Sequence, residues 1–361
     1  MKNILVFLLC VILLAGCQSA TKTEKDPGAF AKGVWITYSE VDAMLKDGDY
    51  SNRFSNVLEN CKTKGITDIF LAVKPFYSTL YKSKIFPRNE YAKQYDHDLL
   101  EYSITKAHKS GIRLHAWVNP YRVSSLSEID ALPDESPVKA MSPGKDYIIT
   151  NGIYLNPSST EAIKLITEAV REICKDFKVD GIHFDDYFYP TTDESFDKET
   201  YGEYSKSTEN ALSLAEYRKA SVNALISSVY TAVKFTSKSI IFSVSPCASS
   251  ETNANEYYAD LQAWCENGCV DLIIPQLYFG FEYPDENYRF DALLNAWKDL
   301  LKETKTDIWI GLASYKKNTD IPPDNEEWKD GEEIITRQTN ICRDDDRIKG
   351  VAFFSYSYLF S

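Results

Sequence analysis

The feature of this sequence that most restricts its fold is an alternation of short apolar runs with longer segments of helical periodicity, which starts near residue 33. Alternation of this kind predicts βαβ units and a parallel sheet. Eight runs are found, which is the strand number of a (β/α)8 barrel. We therefore predict an α/β fold in which residues 31–361 form one TIM-type barrel with extended βα-loops. The predicted strands are 33–38, 68–76, 113–120, 179–190, 239–246, 271–278, 307–315 and 350–357.

The predicted helices lie between these strands. They cover about 52–64, 98–110, a segment that begins near 159–161, 209–235, 254–267, 289–304 and 331–343. Ser361 follows directly on the eighth predicted strand, so we expect that the closing helix is absent. A doubly wound sheet is the alternative, but it would usually carry a glycine-rich phosphate loop after an early strand. The first strand leads instead into Ser39-Glu40-Val41-Asp42.

Residues 1–16 resemble an export signal. Lys2 provides a positive start, and the apolar run 4–14 is too short to span a bilayer comfortably. The segment 14–17 (LAGC) resembles the lipobox of bacterial lipoproteins, which implies cleavage before Cys17 and lipidation of its thiol. Residues 17–30 would then hold the lipidated cysteine and a flexible tether. We expect an exported protein anchored to the outer membrane or the outer face of the plasma membrane. An ordinary secretory peptide with a chance cysteine is the alternative.

Charge and cysteine content restrict the partners. The net charge is −13, and removal of residues 1–16 takes away only Lys2 and makes the chain one unit more negative. No run of Lys and Arg is interleaved with aromatic residues, so no nucleic-acid partner is expected. Cys265 and Cys269 lie four apart without a nearby histidine or further cysteine, which favours buried thiols or a disulfide over a metal site. We predict no cofactor, and spacing does not determine which cysteines pair. The six concerned are Cys61, Cys174, Cys247, Cys265, Cys269 and Cys342.

Polar and aromatic residues collect where the predicted strands end, whereas the strand beginnings are apolar, as at Ile66 and Ile240. In a (β/α)8 barrel the strand ends meet at one face, where the loops build the site. Aromatic rings can stack on pyranose faces, and polar side chains can bond hydroxyl or N-acetyl groups. The composition therefore favours a sugar-binding site. The candidate substrate-binding residues are Lys74, His115, Asn119, Tyr121, Arg122, His183, Ser245, Gln276, Tyr278 and Tyr315.

Two adjacent acids, Asp185 and Asp186, end the fourth predicted strand and are the candidate catalytic residues. Glycosidic cleavage needs one carboxyl group to protonate the leaving oxygen and a second to act as nucleophile or base. Strand alternation places Asp185 on the barrel side and turns Asp186 away unless the strand bends there. The second carboxylate could instead come from the loops after the fifth and sixth strands. The acids in those loops are Glu251, Glu282 and Asp285.

Each candidate also has a structural interpretation. Adjacent aspartates at a strand end often cap a helix or hold a loop. His115 and His183 belong to no His-x-x-x-His or similar spacing, so both could be core polar groups, and metal binding is not predicted. Lys74 could pair with an acid across the barrel. Tyr278 and Tyr315 could pack rather than stack on sugar.

Many segments in one order resemble the bacterial glycosyl-hydrolase-like family ten lipoproteins, over nearly the whole chain after the tether. They run from GVW at 33–35 to FSY at 354–356. Between these lie VKPF (73–76), LYKSK (80–84), HAWVNPYR (115–122), YLNP (154–157), DGIHFDDYFYP (180–190), SP (245–246), PQLY (275–278) and GLASYK (311–316). The resemblance implies a glycosidase-type (β/α)8 barrel attached to the cell envelope. One member of the family hydrolyses peptidoglycan strands stripped of their stem peptides. The implied substrate is a β-1,4-linked N-acetylhexosamine polymer, and Asp185 would belong to the catalytic set.

The sequence departs from the family pattern in places. Lys74 stands where the family pattern leads us to expect an arginine, and the segment from Cys247 lacks an expected aromatic residue. Compared with chitinase-like barrels, Tyr187 occupies the place of the catalytic glutamate. The hypothesis is an envelope-anchored glycoside hydrolase of peptidoglycan strands. Its alternatives are a lipoprotein that binds glycan without cutting it and a hydrolase of an exogenous polysaccharide.

Overall fold

The computed structural model describes residues 30–317 and 325–360, so the predicted export signal and Cys17 lie outside the described residues. Eight parallel strands close into a barrel in which each strand pairs with the next along the chain, and the eighth pairs with the first. The predicted (β/α)8 barrel is confirmed. The strands are β1 (Ala31–Ile36), β2 (Asp68–Lys74), β3 (Arg113–Val118), β4 (Gly181–Phe184), β5 (Ile241–Val244), β6 (Leu272–Ile273), β7 (Asp307–Leu312) and β8 (Ile348–Phe353).

Helices follow every strand and cover the barrel from outside. None of the helices within the described residues is both long enough and apolar enough to cross a bilayer. They are α1 (Tyr38–Lys46), α2 (Tyr50–Thr63), α3 (Leu99–Lys109), α4 (Thr160–Asp176), α5 (Lys198–Ser207), α6 (Leu214–Thr236), α7 (Ser250–Asn255), α8 (Leu261–Glu266), α9 (Phe290–Leu300), α10 (Asn325–Trp328), α11 (Gly331–Arg343) and α12 (Tyr356–Leu359).

Helix ends are fixed by the local signals that the sequence carries. Ser159 caps α4 by accepting a bond from Ala162 N, and Gly111 follows α3 with φ +71°, as the predicted stop requires. β1 ends earlier than predicted because Thr37 and Glu40 form a capping box that starts α1.

Two further helix predictions need correction. The predicted helix 254–267 is two helices, α7 and α8, with Tyr258 at φ 54° between them. β8 is followed by the single-turn helix α12, where no closing helix was expected.

Strand alternation separates two cores. On β4, Ile182 and Phe184 face outward into the layer between strands and helices, while His183 points into the barrel. Apolar and aromatic side chains fill the barrel interior. The interior is therefore packed and is not a channel. The residues of the interior cluster are Ala31, Trp35, Phe70, Leu272, Ile274, Trp309 and Ala352, with Trp117, Ile241 and Phe354 against them.

The loop between β3 and α4 is long and contains its own small sheet. Arg122–Ser124, Tyr147–Ile149 and Ile153–Leu155 form three antiparallel strands. Leu155 N donates to Tyr121 O at 2.8 Å, which ties this sheet to the end of β3. The sheet thereby fixes Arg122 at the face where the barrel strands end.

Candidate active site

Asp185 lies at the carboxyl end of β4, 4% exposed, and receives hydrogen bonds from three directions. The indole N–H of Trp117 donates to its Oδ2 at 3.1 Å. Asn119 Nδ2 lies 3.4 Å from each of its oxygens, and Tyr187 N lies 3.4 Å from Oδ1. Trp117 and Asn119 both belong to the end of β3, so two neighbouring strands hold one carboxyl group.

The surroundings of Asp185 favour its protonated form. Burial, and then the neighbouring charge of Asp186, raise the pKa of Asp185 to about 7. Arg122 and the bonds from Tyr187 and Trp117 oppose this rise without cancelling it. A carboxyl group whose pKa is raised in this way keeps its proton at higher pH than an ordinary aspartic acid and can donate it.

Asp186 also faces the site, which corrects the expectation from strand alternation. β4 ends at Phe184, so the alternation does not extend to the second acid. The side chain of Gln276 bonds the Asp186 carboxylate, and the charge of Asp186 acts on Cys247, Tyr257 and Tyr278 around the adjacent cavity. Burial raises the pKa of Asp186 as well. The two acids therefore form a pair at one site.

Lys74 lies beneath this pair at the end of β2, 2% exposed. Its ammonium donates to Asn119 O at 3.2 Å and lies 4.8 Å from the centre of the Phe86 ring. Burial lowers the pKa of Lys74 to about 7, and the charge of Asp185 offsets part of this effect. Lys74 makes no salt bridge with Asp185 within 4.0 Å; it holds the backbone of Asn119, which in turn bonds the acid.

Arg122 stands beside the acids between two aromatic rings. Its guanidinium carbon lies 4.7 Å from the ring centre of Phe76 and 4.7 Å from the ring centre of Tyr187. Tyr187 is 50% exposed, and Tyr38 packs edge-on against Phe76 at 5.2 Å. The rings of Tyr38, Phe76 and Tyr187 thus form an aromatic rim next to the Arg122 guanidinium, on the β1–β4 side of the site.

A cavity of about 340 Å³ opens on the other side of Asp186, over the ends of β5–β7. Three predicted residues, Gln276, Tyr278 and Tyr315, line it. The rings of Tyr278 and Tyr315 pack edge to face, with their centres 5.8 Å apart. The two rings therefore pack on each other and also line the cavity. The other lining residues, which the sequence did not single out, are Cys247, Ala248, Ser249, Thr252, Tyr257, Phe279, Tyr288 and Lys316.

Four predicted substrate-binding residues lie below the surface of the site. His115, Tyr121, His183 and Ser245 are at most 1% exposed; Asn119 is equally buried but bonds Asp185. His115 bonds Asp68 at 2.9 Å, which matches its structural interpretation. Ser245 instead presents its backbone oxygen to Gln276 Nε2 at 3.0 Å. The structure does not bring these four side chains to the surface of the cleft.

His183 has a defined proton arrangement in the barrel interior. The indole N–H of Trp35 donates to its Nε2 at 2.9 Å, so that nitrogen is the acceptor. Nδ1 must then carry the proton, which it donates to Ser243 Oγ at 2.8 Å. Burial, and then the charge of His115, hold the pKa of His183 well below its usual range. His183 is a neutral group that supports the β4 end.

The alternative second carboxylates lie in exposed positions. Asp285 accepts a bond from Asn287 N at 3.0 Å in its own loop, and Glu251 lies in the first turn of α7. Glu282 lies in the loop after β6 and is exposed as well.

No metal site is formed by the described residues, since no group of three or more His, Cys, Asp or Glu side chains could hold an ion. The six described cysteines are free thiols. Cys265 and Cys269 therefore do not form a disulfide, and of the two interpretations the thiol is correct.

Comparison with known proteins agrees with this geometry. The family model described as "Glycosyl hydrolase-like 10" matches residues 31–330. The chain belongs to the glycosyl hydrolase-like 10 family. This confirms the predicted family. The member described here is 31% identical to "Glycosyl hydrolase DigH" of Escherichia coli (strain K12) over 390 residues, which cover 96% of the chain and 87% of the relative. It is 27% identical to "Glycosyl hydrolase YngK" of Bacillus subtilis (strain 168), over 97% of the chain and 71% of the relative.

Solved structures show the same fold for this family member. The glycoside hydrolase domain of PgaB (BpsB) from Bordetella bronchiseptica superposes with a TM-score of 0.56 at 12% identity, covering 92% of this chain and 95% of that one. Alpha-L-fucosidase isoenzyme 2 from Paenibacillus thiaminolyticus gives a TM-score of 0.57 at 10% identity, covering 91% and 46%. At these identities the likeness concerns the barrel alone.

Proposed function

We propose that this protein is a glycoside hydrolase that cleaves β-1,4-linked N-acetylhexosamine glycan in peptidoglycan strands. The observation that carries the proposal is the acid pair of the buried Asp185 and the half-buried Asp186, at the strand ends of a barrel of the glycosyl hydrolase-like 10 family. Two carboxyl groups whose surroundings leave one of them protonated are what hydrolysis of a glycosidic bond requires.

The two acids take different roles in this proposal. Asp186 is the more exposed of the pair and lies beside the cavity, and in its ionised form it acts as nucleophile or base: it bonds the anomeric carbon itself, or takes the proton of the water that does so, as the glycosidic C–O bond breaks. Its negative charge helps to keep the proton on Asp185. Asp185 donates that proton to the leaving glycosidic oxygen. The bonds from Trp117 and Asn119 hold its carboxyl group in place and stabilise the anion that remains.

The rest of the cleft suits a sugar chain. Rings lie on both sides of the acid pair: Phe76 and Tyr187 flank Arg122, and Tyr278 and Tyr315 line the cavity of about 340 Å³. Exposed rings can stack on pyranose faces, and the Gln276 amide can bond a ring substituent. Curated relatives carry the name glycosyl hydrolase, which supports the reaction class.

The test uses purified peptidoglycan strands without stem peptides, and it measures new reducing ends. We expect cleavage by the wild type and a loss of about 100-fold or more for Asp185→Asn, because a general acid contributes about 10²–10⁴-fold. Glu251→Gln is the matched control and should retain activity, since Glu251 is an exposed acid in the first turn of α7. Equal product from Asp185→Asn and the wild type would remove Asp185 from its role.

Two other outcomes identify the alternatives. Saturable binding of strands without new reducing ends indicates a lipoprotein that holds glycan. Preferential cleavage of a polysaccharide other than peptidoglycan in a glycan panel indicates an enzyme for exogenous substrate.

The anchoring of the protein at Cys17 is part of the proposal. The segment that precedes it resembles a lipobox, and a barrel tethered to the envelope would meet strands there. Cys17→Ala should move the protein from the membrane fraction to the soluble fraction. A variant that still sediments with membranes after a high-salt wash would contradict this.

A further inference from the structure

Arg122 packs against two aromatic rings at the end of β3. The ring centres of Phe76 and Tyr187 each lie 4.7 Å from its guanidinium carbon. Its backbone N–H donates to Asn119 Oδ1 at 2.9 Å, which fixes the residue at the end of β3. These ring contacts do not use the guanidinium N–H groups, which are left for a ligand.

Those N–H groups have no partner among residues 30–317 and 325–360. Nε is buried without a hydrogen bond, and the side chain makes no ion pair there within 4.0 Å. Its charge reaches Asp185 and Asp186, where it lowers both pKa values, but it does not bond either acid. A buried donor without a partner is costly, so an arginine kept in this position indicates a group that arrives with the substrate.

The chemistry of that group follows from the guanidinium. Its planar edge fits carboxylate or phosphate oxygens in a two-pronged arrangement, and a charged acceptor bonds it about twice as strongly as a neutral one. Sugar hydroxyl and amide groups present no such charge. In a chain of net charge −13, a cation beside the acid pair is also a position to which an anionic substituent would be drawn.

We infer that Arg122 binds a carboxylate carried by the sugar next to the bond that is cut. The substrate is then an anionic hexosamine glycan with acid substituents on its sugars, as in strands whose lactyl groups are freed when stem peptides are removed. This rests on the proposed function and specifies its substrate. Arg122 would then let the enzyme distinguish strands with free carboxylates from strands in which the carboxylates are masked.

The experiment compares one glycan in two forms. Stem-peptide-free strands are used directly, or after their carboxylates have been converted to methylamides. The wild type, Arg122→Gln and Arg122→Lys are measured on both. We expect wild-type kcat/KM to fall about tenfold to a hundredfold on the amidated strands, and the preference to disappear in Arg122→Gln. Arg122→Lys should keep part of it. Arg171→Gln, an exposed arginine on α4, should behave as the wild type.

The inference is overturned if the wild type cuts both forms equally, or if Arg122→Gln slows both by the same factor. The second result would mean that Arg122 acts only on the acid pair. If neither form is cut, the proposed function fails, and retention of the two forms by Asp185→Asn protein decides the inference. Preferential retention that Arg122→Gln abolishes supports it, and equal or absent retention overturns it.

Discussion

At the scale of single residues, the bond from Trp117 to Asp185 sets the pH at which the proposed acid loses its proton. The indole N–H stabilises the ionised form, so Trp117→Phe should raise the pKa of Asp185 above about 7. Activity requires the protonated form and falls as pH rises through that pKa. The alkaline limb of the kcat/KM profile should therefore move upward by about half to one pH unit.

A second tryptophan provides the control for this prediction. Trp264 bonds Asn223 on the outside of the barrel, and Trp264→Phe should leave the pH profile unchanged. An alkaline limb that stays in place or moves down in Trp117→Phe would show that the bond to Asp185 does not act in this way.

Asp185 should also cost the protein stability at neutral pH. Its pKa is about 7 in the folded state and about 3.9 in an unfolded chain. Its contribution to the free energy of unfolding is fully present below about pH 3.9 and is lost as pH rises through about 7. Asp185→Asn should therefore be about 1–3 kcal/mol more stable than the wild type at pH 8, with little difference near pH 4. Urea denaturation at both pH values measures this, and a variant less stable at pH 8 would contradict it.

Sequence analysis predicted which side chains point toward the barrel interior better than it predicted which of them reach the surface of the cleft. Alternation on β4 placed His183 and Asp185 inside the barrel, as found, but it could not show that one is a bonded core group and the other reaches the cleft. It failed for Asp186 because the strand ends two residues before it. Tyr187 was missed as a rim ring, although an aromatic residue directly after two strand-end acids is a usable signal.

At the scale of elements, a buried arginine holds the loop between β4 and α5, which begins with the acid pair. Arg218 of α6 is fully buried. It bonds Asp197 through Nε and Nη2, and its other bonds reach Thr192 O at 3.1 Å and Asp193 O at 2.7 Å. The loop therefore takes its shape from bonds to a helix outside the barrel.

Arg218→Met should destabilise the protein by about 3–5 kcal/mol, because it leaves the charge of Asp197 buried without a partner. Replacing both partners, as Arg218→Met with Asp197→Leu, should recover part of the loss in chemical denaturation. A single variant within about 1 kcal/mol of the wild type, or a double variant less stable than the single one, would contradict this account.

Element prediction succeeded where periodicity and caps agreed. Helices α3 and α4 and all eight strands were found because their apolar periods are regular and Gly111 and Ser159 mark helix ends. The small sheet after β3 was not predicted, because its strands are three residues long and lie inside a loop. α5 was not predicted either, since its apolar face is weak.

At the scale of the whole molecule, the packed interior of the closed barrel leaves little space for a larger side chain. Gly181 of β4 faces the interior, where a Cβ would lie 2.2 Å from His115 Nδ1 and 2.8 Å from Ile241 O. His115 cannot turn away easily, since its other ring nitrogen bonds the buried Asp68. Glycine at this position is therefore required by two neighbouring strands at once.

Gly181→Ala should lower the free energy of unfolding by about 3 kcal/mol or more, because the added methyl must displace backbone or a bonded ring in a packed interior. Gly202→Ala is the matched control. Gly202 lies in α5 with nothing within 4 Å of the added atom, so this change should stabilise the protein by about 0.5–1 kcal/mol. Since the strands form one closed sheet, the Gly181 variant should also lose activity in parallel with its stability. A Gly181→Ala protein within about 1 kcal/mol of the wild type would show that the interior can rearrange.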